Sequence, residues 1–120
     1  MKLAIVGSRN FTDYNMMCEF IGSKFDISDI DVIVSGGAKG ADKLAERFAS
    51  NHNLLLLVKE ADWKHYGRAA GPMRNKQIIE EADAVVAFPS HSSRGTLNSM
   101  NLARKAGKRL EVMYVSNDTK

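Results

Sequence analysis

The chain has 120 residues, with 17 Lys and Arg against 14 Asp and Glu, a formal charge of +3. Apolar residues make up 44% and charged residues 26%, proportions that exclude a disordered chain, a collagen-like fibre and a disulfide scaffold. One domain spanning residues 1–120 is expected, large enough to build a core without metal or disulfide support.

The first predicted strand, Lys2–Val6, begins almost at the N-terminus, and its apolar run is too short for a signal peptide or a membrane span. Thr12 or Asp13 then caps a helix whose apolar side is Tyr14, Met17, Cys18, Ile21 and Phe25. Cys18 is the single cysteine, which fits a reducing, cytoplasmic setting. Asp31–Ser35 is the second strand. The helix after it sets Ala41, Leu44, Ala45, Phe48 and Ala49 opposite Lys43, Glu46, Arg47 and Ser50. Leu54–Lys59 is the third strand, followed by a stretch without periodicity from Glu60 to Gly71, read as a long structured loop.

Pro72 suits the first turn of a third helix through about Ala82, with Met73, Ile78, Ile79 and Ala82 as core contacts. Ala84–Phe88 is the fourth strand, and a fourth helix runs from about Thr96 to Ala106, stopped by Gly107. Arg109–Val115 partly alternates, as an edge strand does, whereas the other four strands read as runs covered on both faces. The alternation predicts an α/β fold. Its expected form is a three-layer Rossmann-like sandwich with a five-stranded parallel sheet in the order 3-2-1-4-5.

In such a sheet, ligands bind beyond the carboxyl ends of the strands, where strand order reverses. Three loops reach that edge. Gly7-Ser8-Arg9 combines a tight turn, a hydroxyl and a cation that can clamp an anion in bidentate fashion. Gly36-Gly37-Ala38-Lys39-Gly40-Ala41-Asp42 opens a helix, where backbone N–H groups and the helix dipole favour a phosphate. Ser90 to Thr96 opens another, with Arg94, Gly95 and Thr96 at its start. The segment from Asp62 to Asn75 adds Trp63, which can stack on a base, together with Arg74 and Asn75; Tyr66 is read as a packing residue. Neither a Walker loop nor a dinucleotide fingerprint is present. His52, His65 and His91 are scattered, no metal site is expected, and no cofactor is implied.

The series Gly7-Ser8-Arg9, Gly36–Asp42, Ala61-Asp62-Trp63, Gly71–Asn75, Ala82-Asp83 and Arg94-Gly95-Thr96 resembles the YspA-like branch of the SLOG superfamily. That superfamily also holds the DprA/Smf proteins and the LOG (lonely guy) phosphoribohydrolases. The resemblance implies a Rossmann-like domain that binds a nucleotide or nucleotide-derived molecule of the ADP-ribose or NAD type. It further implies a sensor or sequestering protein, in the setting of conflict between bacteria and phages, that pairs as a homodimer. LOG enzymes carry Pro-Gly-Gly-x-Gly-Thr-x-x-Glu. Here Gly95-Thr96 matches, but Ser99 stands where the catalytic Glu would be, while Arg74 matches the LOG arginine.

The leading expectation is therefore a binding module whose ligand contacts are the residues named in these loops. The alternative is a nucleotide N-glycosidase of LOG type with Asp42, Asp62 or Glu80–Glu81 replacing the missing acid. Single-stranded DNA is a third, least favoured partner, because the basic excess is small. For self-association the sequence offers Met16, Met17, Phe20 and Phe25 on the first helix.

Overall fold

A computed structural model describes residues 1–116. In chain order the elements are β1 (Lys2–Gly7), α1 (Tyr14–Lys24), a 3-10 turn (Ile27–Asp29), β2 (Val32–Ser35), α2 (Ala41–Asn51) and β3 (Leu55–Val58). There follow α3 (Trp63–Tyr66), a second 3-10 turn (Gly67–Ala69), α4 (Ala70–Glu81), β4 (Ala84–Phe88), α5 (Arg94–Lys105) and β5 (Arg109–Val112). All pairings are parallel, and the strand order is β3-β2-β1-β4-β5, as the sequence predicts.

Side-chain alternation along the strands divides the core into two layers. Leu3, Ile5, Ile33, Val86 and Phe88 pack against α1 and α2 with Met17, Ile21, Ala45 and Phe48. Ala4, Val6, Val34, Val85 and Ala87 face α4 and α5, meeting Ile78, Ile79, Met100 and Ala103. Asp13 supplies the α1 cap, its carboxylate accepting from Met16 N at 3.0 Å. Met17 and Phe25 are core residues, and Met16 and Phe20 pack partly against the same core, so α1 keeps little spare apolar surface.

Several local expectations are corrected. The stretch from Glu60 to Gly71 holds a short helix and a 3-10 turn. Asp62 caps that helix, its carboxylate accepting from His65 N at 3.2 Å. Met73 is 38% exposed because the buried stripe of α4 runs through Gly71, Asn75, Ile78 and Ile79, and Met73 lies off it. Tyr66 is exposed rather than packed. β3 is a second edge strand, and Leu55, on its α4 side, is 71% exposed. α5 starts two residues earlier than expected, at Arg94, and β5 ends at Val112, although Met113 N and Val115 N still donate to Ala87 O and Pro89 O.

Candidate functional site

The loops after β1, β2 and β4, together with α4, enclose a cleft of about 360 Å³ at the carboxyl edge of the sheet. The β1 loop sets its floor. A side chain at Gly7 would come within 2.8 Å of Ala41 Cβ and 2.9 Å of Phe88 Cβ, so only glycine lets the loop turn there. Ser8 N donates to Phe88 O at 2.9 Å, and Ser8 Oγ accepts from Asn10 N at 3.1 Å.

Ser8 O accepts from Ala41 N, the first N–H of α2, at 3.0 Å. Gly40, at φ 69°, allows this approach, since a Cβ there would lie 2.3 Å from Ser8 O. The glycine-rich stretch is thus shaped for backbone packing on the β1 loop. Of that stretch only Ala38 and Asp42 line the cleft, while Gly36, Gly37 and Lys39 do not. Gly36 acts indirectly. Arg74 Nη1 donates to its carbonyl at 2.9 Å, and a Cβ at Gly36 would sit 2.8 Å from that nitrogen.

As α2 does at Asp42 N and Lys43 N among the described residues, the start of α5 keeps open donors. Its cap residue, Ser93, makes no side-chain bond to the helix; its Oγ serves Ser90 instead, accepting from Ser90 N at 3.0 Å and lying 2.8 Å from Ser90 Oγ. Arg94 N donates to Ser92 O and Leu97 N to Ser93 O, which leaves the N–H groups of Gly95 and Thr96 without an acceptor among the described residues. The hydroxyls of Thr96 (7% exposed) and Ser99 (1% exposed) also line the cleft and have no hydrogen-bond partner among the described residues. Buried polar groups are normally paired. Open donors at a helix N-terminus are the groups an anion would satisfy.

Three arginines, Arg9, Arg74 and Arg94, line this cleft, and Asp42 is the one acidic residue in its lining among the described residues. Arg74 is held by Gly36 O and by Asn75 Oδ1, which accepts from Nε at 3.1 Å. Asn75 Nδ2 reaches Asn98 Oδ1 at 3.1 Å and Gly95 O at 3.3 Å, fixing α4 against the α5 start. Asp42 is 9% exposed and accepts from Ala38 N at 3.0 Å. Burial pushes its carboxyl pKa above the ordinary aspartate value, opposed by the Ala38 N–H and by Arg74.

Of the residues expected from sequence, the cleft gathers Gly7, Ser8 and Arg9 from the first loop and Ala38 and Asp42 from the second. Arg74, Asn75, Arg94, Gly95 and Thr96 complete the set. Trp63 is outside it. So is Asp62, which is exposed, lies 2.8 Å from His65 Nδ1 and borders a separate hollow. Glu81 is engaged with Lys2 and Lys59. The sequence reading passed over Asn10, Ser90, Ser92, Ser93 and Ser99 as contacts. Ser99 falls three residues after Thr96, the helical spacing that puts both on one face and could have marked it. Among the described residues no acidic, His or Cys cluster could hold a metal ion, and no helix is long and apolar enough to cross a membrane.

The family model described as "YspA, cpYpsA-related SLOG family" matches residues 1–66. The Gene 61 protein of Mycobacterium phage D29 is 34% identical over 113 residues, covering 88% of this chain and 90% of that protein. The chain belongs to the YspA, cpYpsA-related SLOG family. The match to the SLOG model takes in the β1 and β2 loops, and the α4 and α5 walls of the cleft lie beyond it.

Two solved structures share the fold. DNA processing protein A (DprA) of Streptococcus pneumoniae superposes with a TM-score of 0.77 at 20% identity, over 98% of this chain and 52% of that one. DprA of Helicobacter pylori, whose structure was described for its single-stranded DNA binding mode, gives 0.70 at 24% identity over 93% and 64%. The chain thus spans about half the length of the first DprA and under two-thirds of the second. At these identities the likeness shows the Rossmann-like fold.

Proposed function

We propose that this SLOG chain is a binding module for a nucleotide-derived small molecule of the ADP-ribose or NAD type, acting as a sensor or sequestering protein. The observation that carries the reading is the open α5 start: two N–H donors and the buried Thr96 and Ser99 hydroxyls face one cleft without partners among the described residues. A phosphate would satisfy them, with Arg9, Arg74 and Arg94 around it. Asp42, across the cleft, is suited to accept from ribose hydroxyls. A volume of about 360 Å³ lies at the small end of ligand clefts, which favours one nucleotide unit inside it. The phage relative supports a setting in conflict between bacteria and phages, and a cytoplasmic homodimer belongs to the same reading.

Calorimetric titration of the full chain with AMP, ADP-ribose and NAD tests it. At least one is expected to bind. Arg9→Ala, which removes a rim cation, should weaken that binding by about tenfold or more if the guanidinium meets a phosphate. No heat with any of the three would end the proposal. A monomer by light scattering would remove the homodimer alone.

A second reading rests on Asp42, a buried carboxyl of raised pKa inside the cleft. Such a group is suited to the acid role in N-glycosidic cleavage. Chromatography of AMP after prolonged incubation would then show free adenine. Asp42→Asn should abolish release while leaving AMP bound. Single-stranded DNA, the partner described for Helicobacter pylori DprA, would reach the same edge only by its phosphates, and its dependence on strand length separates it from a nucleotide.

A further inference from the structure

The cleft has no aromatic side chain in its lining among the described residues; its apolar side chains are Val6, Ala38 and Ile78. It can therefore hold the sugar and phosphate of a nucleotide but offers no ring on which a base could stack. Arg74 has a second side. It also lines a smaller hollow of about 40 Å³, together with Glu60, Asp62, Tyr66, Met73 and Gln77. Tyr66 is 53% exposed, and it is held out by a short helix whose capping residue is Asp62. Tyr66 N donates to Asp62 O at 3.0 Å. Trp63, one turn earlier, lies over the first turn of α4, where a Cβ on Gly71 would be 3.1 Å from its ring.

We infer that the Tyr66–Met73 hollow is the base-binding ledge of the nucleotide whose sugar and phosphate occupy the cleft, with Arg74 as the wall shared by the two. This deepens the proposed function and rests on it. The chemistry fixes the orientation. Arg9, Arg94 and the open α5 start make one end suited to anions, whereas Glu60 and Asp62 make the other end repel them. The Glu60 carboxylate and the Gln77 amide instead suit the edge of a base that carries N–H donors, such as adenine, while the Tyr66 ring and Met73 thioether supply its face. Base-on-aromatic stacking tolerates a half-open surface, so the hollow need not enclose the ring.

The test is calorimetry with AMP and with ribose 5-phosphate on the wild-type chain, Tyr66→Ala and Tyr66→Phe. In the wild type AMP should bind roughly tenfold more tightly than ribose 5-phosphate. Tyr66→Ala should close that gap by weakening AMP alone. Tyr66→Phe should keep it, because the ring and not the hydroxyl does the stacking. If ribose 5-phosphate binds as well as AMP, or if Tyr66→Ala leaves the gap or weakens both ligands equally, the ledge is wrong while the phosphate cleft stands. Failure of both ligands to bind would overturn the ledge, and the proposed function falls with it if ADP-ribose and NAD also give no heat.

Discussion

Asp42 is the one carboxylate on the cleft wall among the described residues, and its burial has a consequence for stability. Its folded pKa lies above the unfolded value of about 3.9, so between those two values the folded chain holds more of the proton than the unfolded chain does. Stability therefore falls as pH rises through that window. Asp42→Asn keeps an oxygen to accept from Ala38 N and removes the buried charge. In urea denaturation the variant should gain on the wild type as pH rises from about 4, then hold a constant advantage above the window. An advantage that is the same at every pH would show that the carboxyl is not strained by burial. Gly40 gives a second prediction at this scale. Its positive φ and its contact with Ser8 O should make Gly40→Ala cost roughly 2 kcal/mol or more of unfolding free energy. Ligand affinity should fall with it, since Ser8 and Arg9 would be displaced.

Among whole elements, α4 is tied down at its far end by Lys108, whose ammonium donates to Ile79 O at 2.6 Å, Glu80 O at 3.1 Å and Ala82 O at 2.5 Å. A cation there satisfies the last carbonyls and complements the helix dipole. Lys108→Met should lower stability by about 1–2 kcal/mol in urea denaturation and leave ligand affinity unchanged. The strands and their order were legible because a sheet covered by helices needs apolar runs, and right-handed crossovers leave few topologies. The position of the cleft followed from the same topology. Which donors stay open did not, because Ser8 O reaches Ala41 N only in the folded chain and so occupies the first donor of the helix that follows the glycine-rich loop. Met73 misled for a related reason. Its place in the buried stripe is held by Asn75, a polar residue kept inside by its bonds to Gly95 O and Asn98. The four residues of α3 are too few to show a helical period.

Across the whole molecule, the net charge is only +3, yet three arginines and an uncapped helix start converge on one small cleft. A protein built this way should respond to a single phosphate and not to a long chain of them. Non-specific strand binding needs a basic track with stacking aromatics, and its affinity falls with salt at a slope of about −0.7 per neutralised phosphate. The cleft measures about 360 Å³, and the acidic residues Glu60 and Asp62 line the hollow on the other side of Arg74. Fluorescence anisotropy with a labelled oligothymidylate of about twenty nucleotides, against a labelled mononucleotide, separates the two designs through the slope of affinity on salt. The expected slope for both probes is shallow, about that of one or two phosphates, and lengthening the strand should add little affinity. A slope several times steeper for the oligonucleotide, with tighter binding at low salt, would mean that the basic surface extends beyond the cleft and that the chain grips a strand.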